Sequence, residues 1–316
     1  MTAEFGRAFA VEKFGILFCL LSILPINLYC QDDCLLKYQA GLLFSERNYT
    51  EAIETYKQMQ SQQYNKYYNI SVCFCILELR DSAEYYLQKA IDHNFYYPEH
   101  FRYNNITNLA SDKNLSCLSN NRKLDSLLNE NYEKMNANIN KELQEKFVQR
   151  LVIDQKVRHQ EDYDSLCNVY NVKKDYLCKF IDSINMEFLD SVINVYGKWT
   201  GINFIGQKGD HAAWIIAQHA DYFIDFQEKC YTLILEAYEK NNTDYTNIPY
   251  LYDRIMINKN LKQRYGTQMR FIDDKVVFIN IENEDENYVN MLRTCYRLGS
   301  LKDYKEILEK KYVNKK

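Results

Sequence analysis

Glycine and proline are scarce in this chain, 9 and 3 of 316 residues. That scarcity excludes long structureless linkers and Gly-rich all-β folds, which need these residues at their turns. A surplus of positive charge is also missing, since 39 Lys and Arg face 43 Asp and Glu for a formal net charge of −4. Nucleic-acid binding leaves a basic footprint, so nucleic acid is not an expected partner. No CxxC pair and no Cys/His spacing of a zinc site occurs, and the expectation is no metal and no cofactor. No apolar run reaches the roughly 20 residues of a membrane-spanning helix.

One shorter apolar run is present. Phe14 to Leu24 follows Arg7 and Lys13 and ends at Pro25, the length of the apolar core of a secretory signal. Residues 1–30 are expected to be that signal, cut after Cys30, and the protein to be exported, either periplasmic or secreted. Lipid anchoring at Cys30 is the lesser reading, because the preceding Tyr29 is not small. Eight cysteines follow: Cys34, Cys73, Cys75, Cys117, Cys167, Cys178, Cys230 and Cys295. In an exported protein this even number permits disulfides. Cys73, Cys75 and Cys230 lie in apolar helical patterns, where cysteine reads as a small buried hydrophobe.

Residues 31–97 repeat a pattern of small residues. Ala40 is followed by Ala52 and Tyr56, and Ser71 by Ala83, Leu87 and Ala90. Small residues at these places let antiparallel helices approach closely, and the offset of about 31 residues is near that of tetratricopeptide repeats. Two tetratricopeptide-like helical hairpins are expected here. They offer either a surface for a protein or peptide partner or, the preferred reading, a packing annex. From Pro98 the period is lost, and 98–130 reads as a connector with a short helix near Leu124–Leu128.

Residues 131–316 read as a mostly helical domain with one β-hairpin, making the fold mainly α. One long helix is expected over about 132–160, with Leu143, Phe147 and Leu151 as its stripe. The same stripe continues into Asp154 and Arg158, which reads as an exposed ion pair or one wall of a polar pocket. Helices are expected over 174–184 and 186–196. A tight loop, Gly206–Asp210, should end in Asp210 as N-cap. It lacks the Lys-Ser/Thr of a phosphate loop. A periodic stretch over 211–240 buries Ala212, Ile216, Phe223, Phe226 and Cys230, with His219 at the stripe's edge. Asn247 is expected to cap the next helix, followed by strands over 268–272 and 276–279 and helices over 285–297 and 300–311.

Polar residues able to do chemistry interrupt this pattern in ordered groups: Asp154, Gln155 and Arg158; Gln218, His219, Ala220, Asp221 and then Gln227; Tyr250, Leu251, Asp253 and Arg254; Gln263 and Tyr265, Gly266, Thr267, Gln268; and Arg293 before Leu298-Gly299. Over about 140–310 these motifs resemble an uncharacterised bacterial domain family of unknown function. One departure is Lys198-Trp199-Thr200, where that family tends to have Trp-Pro. The resemblance implies a shared polar site and no particular activity.

Two functions fit these residues. The first is an exported binding or interaction protein of the bacterial envelope with a pocket for a small anionic or polar ligand. Its binding set is Asp154, Gln155, Arg158, Gln218, Arg254, Gln263, Tyr265, Thr267 and Gln268, with the two arginines clamping an anion. The second is a hydrolase with His219 as general base, oriented by Asp221 or Asp253. A third reading makes the polar motifs purely structural.

Overall fold

The computed structural model describes residues 33–93, 95, 108–273 and 275–312. The expected signal segment and the start of the expected connector lie outside the described residues. Among those described, the fold is mainly α with a single two-stranded antiparallel sheet, as expected. No helix among them is long and apolar enough to cross a membrane.

The N-terminal part has four helices: α1 over 33–45, α2 Tyr49–Gln58, α3 Tyr64–Ile76 and α4 Arg80–Asp92. The small residues that predicted close packing, Ala40, Ala52, Ser71, Ala83 and Ala90, are all fully buried. Ser71 donates its hydroxyl to the Ala83 carbonyl at 2.7 Å, so a polar side chain fits between α3 and α4 without an unmet hydrogen bond. From residue 108 onward the expected connector has structure of its own. A 3-10 turn at Lys113–Leu118 and helix α5, Arg122–Ala137, bury Leu109, Leu115, Leu118, Leu124 and Leu128 in one cluster with Ala83, Leu87 and Ala90. A Cys75–Cys117 disulfide joins that turn to α3. Cys75 is therefore a cross-link rather than the inert hydrophobe its apolar setting suggested, while Cys73 and Cys230 are free and buried.

The N-terminal helices dock on the rest of the chain. Cys34 bonds Cys295 across 261 residues, and Lys37 donates to the Cys295 carbonyl at 2.6 Å. Tyr64 is buried deeply enough to push its hydroxyl pKa up to about 12, and its electrostatic neighbours are Arg297, Tyr245 and Asp244 from the C-terminal region. Arg297 stacks over Tyr245, 5.0 Å from the ring centroid. Part of the tyrosine-rich surface of these N-terminal helices is thus covered by the chain itself.

The C-terminal region follows as α6 Lys141–Arg158, α7 Tyr163–Tyr170, α8 Lys174–Tyr196, α9 Ile202–His219, α10 Ile224–Glu239 and α11 Asn247–Asn258. Strands β1 Met269–Ile272 and β2 Lys275–Phe278 come next, then α12 Glu286–Cys295 and α13 Leu301–Tyr312. Several expected boundaries move. The single helix of 132–160 is two, because Asn140 accepts a hydrogen bond from the Leu143 N–H at 3.0 Å and starts α6 afresh. The two helices of 174–196 are one, since nothing between them lacks a backbone donor or forces a turn. The Gly206–Asp210 loop is a kink inside α9, confined to Gly206 at φ 67°. The periodic stretch of 211–240 breaks at 220–223, so His219 ends a helix rather than lying within one.

Asp210 and Asn247 cap nothing. Asp210 is fully buried and accepts from Trp199 Nε1 at 2.6 Å, Thr243 Oγ1 at 3.0 Å, the Asp244 N–H at 3.2 Å and Asn247 Nδ2 at 3.3 Å. Burial lifts its pKa to about 7 against these donors. The pair ties the 197–201 turn to the start of α11. The main core gathers Phe147, Leu189, Ile193, Trp199, Ile216, Ile234, Leu251 and Tyr296 from these helices, leaving the polar ends of α6, α8, α9 and α11 as its margin.

Candidate functional site

The polar end of the α6 stripe is where the chemistry collects. Asp154 is wholly buried, which is costly for a carboxylate unless it is paired. It accepts from Arg158 Nη1 at 2.7 Å and from Gln155 Nε2 at 2.7 Å. His219, at the end of α9, places Nδ1 at 2.9 and 3.0 Å from its two oxygens. A carboxylate so placed fixes the imidazole with its hydrogen on Nδ1 and leaves Nε2 as the acceptor. Arg158 then bridges outward, donating Nη2 to Asp182 of α8 at 2.7 Å. Burial pushes the Asp182 carboxyl pKa up, and the adjacent Arg158 only partly offsets this. Burial would lower the Arg158 guanidinium, but Asp154 and Asp182 together raise it.

The rim of this cluster reaches solvent. The His219 side chain is 18% exposed and that of Arg158 23%. Among the described residues His219 Nε2 and the second oxygen of Asp182 have no hydrogen-bond partner. Ligand atoms of Asp154, Asp182 and His219 also lie within 4.8 Å of one another, a donor set suited to a divalent metal. The Arg158 guanidinium spans the two carboxylates and supplies the positive charge there, so a metal ion would have to displace it. Sequence spacing gave no hint of this trio because each member comes from a different helix.

A second ion pair adjoins the first. Arg254 of α11 grips Asp221 in two-pronged fashion, Nε at 2.8 Å and Nη2 at 2.6 Å, and gives Nη1 to Gln268 Oε1 at 3.2 Å. Asn258 Nδ2 bridges Asp221 and Gln227 Oε1, both at 2.9 Å. Gln227, fully buried, returns Nε2 to the carbonyls of Ala217 and Gln218 at 3.1 Å, satisfying the end of α9. Burial raises the Asp221 carboxyl, but the bond to Arg254 outweighs it and holds the pKa below the usual carboxylate value.

The third group is structural. Asp253, fully buried, accepts from the N–H of Arg264 at 2.8 Å, of Tyr265 at 3.1 Å and of Thr267 at 2.9 Å, and from Thr267 Oγ1 at 2.9 Å. Gln263 takes the Gln268 N–H at 2.8 Å and gives Nε2 to the carbonyls of Gln268 and Ile279. Buried Arg293 donates to the carbonyls of Tyr265 and Gly299, each at 2.7 Å. Gly266 sits at φ 62°, where a Cβ would lie 2.6 Å from Leu301 Cδ2. Gln263, Tyr265, Gly266 and Thr267 are thus part of a loop held by Asp253 of α11, by Arg293 and by its own side chains, feeding β1.

The structure brings Asp154, Gln155, Arg158 and His219 together and sets Asp221, Arg254 and Gln268 beside them. It corrects three assignments. Neither Asp221 nor Asp253 hydrogen-bonds His219; Asp154 does, because Asp221 is taken by Arg254 and Asp253 by the loop. Both arginines are held by carboxylates, so no free guanidinium pair awaits an anion. Gln263, Tyr265 and Thr267 are bonded within the loop and to Asp253 rather than to the His219 cluster. Sequence reasoning missed Asp182, although a signal existed. Leu177, Ile181, Asn185 and Leu189 of α8 are spaced at four, and Asn185 with its neighbour Asp182 interrupts that stripe as Asp154 does in α6. Hollows of about 670 Å³ beside Tyr163 and Lys174 and about 100 Å³ beside Gln144 and Gly206 are lined by none of the expected site residues.

Residues 141–316 match the model of a family of unknown function, DUF6624. The chain belongs to that family, as the resemblance of its motifs implied, and the match begins at the first residue of α6. Neither a curated protein nor a solved structure matches the chain.

Proposed function

We propose that this is an exported binding protein of the bacterial cell envelope whose C-terminal region presents a polar site centred on His219. The observation that carries the reading is the His219–Asp154–Arg158–Asp182 arrangement, in which buried bonds fix every side chain while His219 Nε2 and one Asp182 oxygen stay open at a solvent-reaching rim. Fixed groups with open valences are how polar ligands are oriented. Export is supported by the disulfides Cys34–Cys295 and Cys75–Cys117, which persist in oxidising compartments. A tetratricopeptide-like annex bound to the C-terminal region is the fitting role for the repeats, since Arg297 and Cys295 occupy part of their face.

The test is thermal denaturation of the purified protein against a panel of small polar metabolites. A ligand should raise Tm for the wild type and not for His219→Ala. Ligand stabilisation that survives this substitution, or its absence across the whole panel, overturns the reading.

One observation favours a second reading. The Asp154–His219 pair is the arrangement by which a carboxylate orients a general base. Under that reading the protein is a hydrolase activating water directly. Turnover of ester, amide or phosphoester probes would then vanish in both His219→Ala and Asp154→Asn, and no turnover in the wild type excludes it.

A further inference from the structure

The open groups around His219 are of both hydrogen-bonding kinds. His219 Nε2, in the tautomer that Asp154 selects, and the second Asp182 oxygen are acceptors. Gln218 Nε2 and Asn185 Nδ2 are buried donors without a partner. Gln218 is 7% exposed and Asn185 3%; the first directly precedes His219 and the second lies one helical turn beyond Asp182. A buried donor left unmet is costly unless something accepts from it, and each of these stands next in sequence to, or one turn from, a member of the cluster.

Charge limits what that something is. Arg158 is shared by two carboxylates and Arg254 is gripped by a third, so neither is free for an anion. Asp154 and Asp182 share the one guanidinium of Arg158, which leaves the cluster a single surplus negative charge and neither carboxylate bare. The neutral group that both donates and accepts is the hydroxyl.

Beside these groups stands an exposed aromatic face. Tyr222, three residues past His219, is 63% exposed. Its ring lies against Lys179, with Nζ 4.5 Å from the centroid, and Lys179 is one turn before Asp182 on α8. Tyr176, 47% exposed, is met by the same Lys179. Large aromatic rings left open at the edge of a polar site offer flat surfaces on which the C–H face of a sugar ring can rest, with the hydroxyls turned toward the polar groups.

From these observations we infer that the site takes a neutral, hydroxyl-rich ligand, a saccharide, whose ring stacks on Tyr222 while its hydroxyls meet Asp182 and His219. This rests on the binding reading above and names its ligand class.

The test follows the imidazole C–H signals of His219 by NMR, assigned by their loss in His219→Gln. Glucose, galactose, N-acetylglucosamine and their β-1,4-linked disaccharides are added at millimolar concentration, with acetate, phosphate and methylamine as charged comparators. At least one saccharide should shift the His219 signals to saturation. Tyr222→Ala, an exposed substitution that leaves the fold intact, should weaken that binding about tenfold or more, and Tyr222→Phe should retain it. Asp182→Asn should weaken it as well. If charged probes move His219 and saccharides do not, the ligand class is wrong while the binding site stands. If no probe of any kind moves it, both readings fall. Saccharide binding that is undiminished in Tyr222→Ala overturns the stacking surface and with it this inference.

Discussion

At the scale of single residues, the buried aspartates Asp154, Asp210 and Asp253 have different roles because different donors surround them. Asp154 faces a guanidinium and an imidazole, Asp253 faces backbone N–H groups, and Asp210 faces neutral donors alone. Removing Asp154 leaves Arg158 and His219 turned toward an empty buried position. Asp154→Ala should therefore cost about 3–5 kcal/mol of stability, against about 1 kcal/mol for the rim residue in His219→Ala, measured by urea unfolding. Asp210 makes a pH prediction. Its folded pKa of about 7 lies above the ordinary value of 3.8, so between those values the folded state binds the extra proton. Stability should fall as pH rises from about 4 to 7. Asp182 and Asp253, raised by burial, act in the same direction, whereas Asp221 is lowered and acts in the opposite one. Urea midpoints for the wild type and Asp210→Asn at pH 5 and pH 7 should show a smaller pH difference in the variant.

At the scale of elements, the segment from Gln263 to Phe278 illustrates how a marginal hairpin is held. Two strands of four residues are weak alone, and the loop that leads into them is fixed from behind by Asp253, Gln263 and Arg293. Asp253→Asn replaces one acceptor oxygen with a donor that faces other donors, and should lower stability by about 2–4 kcal/mol. Gly266→Ala combines a left-handed backbone with a clash against Leu301 and should cost at least about 1 kcal/mol. Hydrogen exchange should report both changes first in β1 and β2, whose amides should lose protection before those of α9. These substitutions lie away from the His219 rim and should leave its ligand response unchanged under native conditions.

At the scale of the whole molecule, the two disulfides span unequal loops. Cys34–Cys295 closes 261 residues and Cys75–Cys117 closes 42. Chain entropy alone assigns them about 5.6 and about 4 kcal/mol respectively. A Cys34→Ser/Cys295→Ser double variant should therefore melt well below the wild type, and limited proteolysis should release α1 and α2 first. Loss of that staple should also expose the tyrosine-rich surface of the N-terminal helices, where Arg297 now docks.

The sequence by itself determined the fold class, the hairpin of strands, the small-residue packing of the N-terminal helices and the family, because periodicity and ordered motifs are local properties of the chain. It also pointed to the polar site, since Asp154 and Arg158 stand where the α6 stripe calls for apolar residues. Only the tertiary structure decided which carboxylate meets His219, that both arginines are already paired, and that the Tyr-Gly-Thr-Gln motif is a clamped loop. Those outcomes depend on which side chains from distant helices meet in three dimensions, and no spacing along the chain encodes that. The break at 138–140 and the separation of α9 from α10 were also hidden. Asn140 starts α6 through a local bond to the Leu143 N–H that one Asn among several does not announce, and Gln227 finishes α9 through bonds to the Ala217 and Gln218 carbonyls that form only once α10 packs back on it.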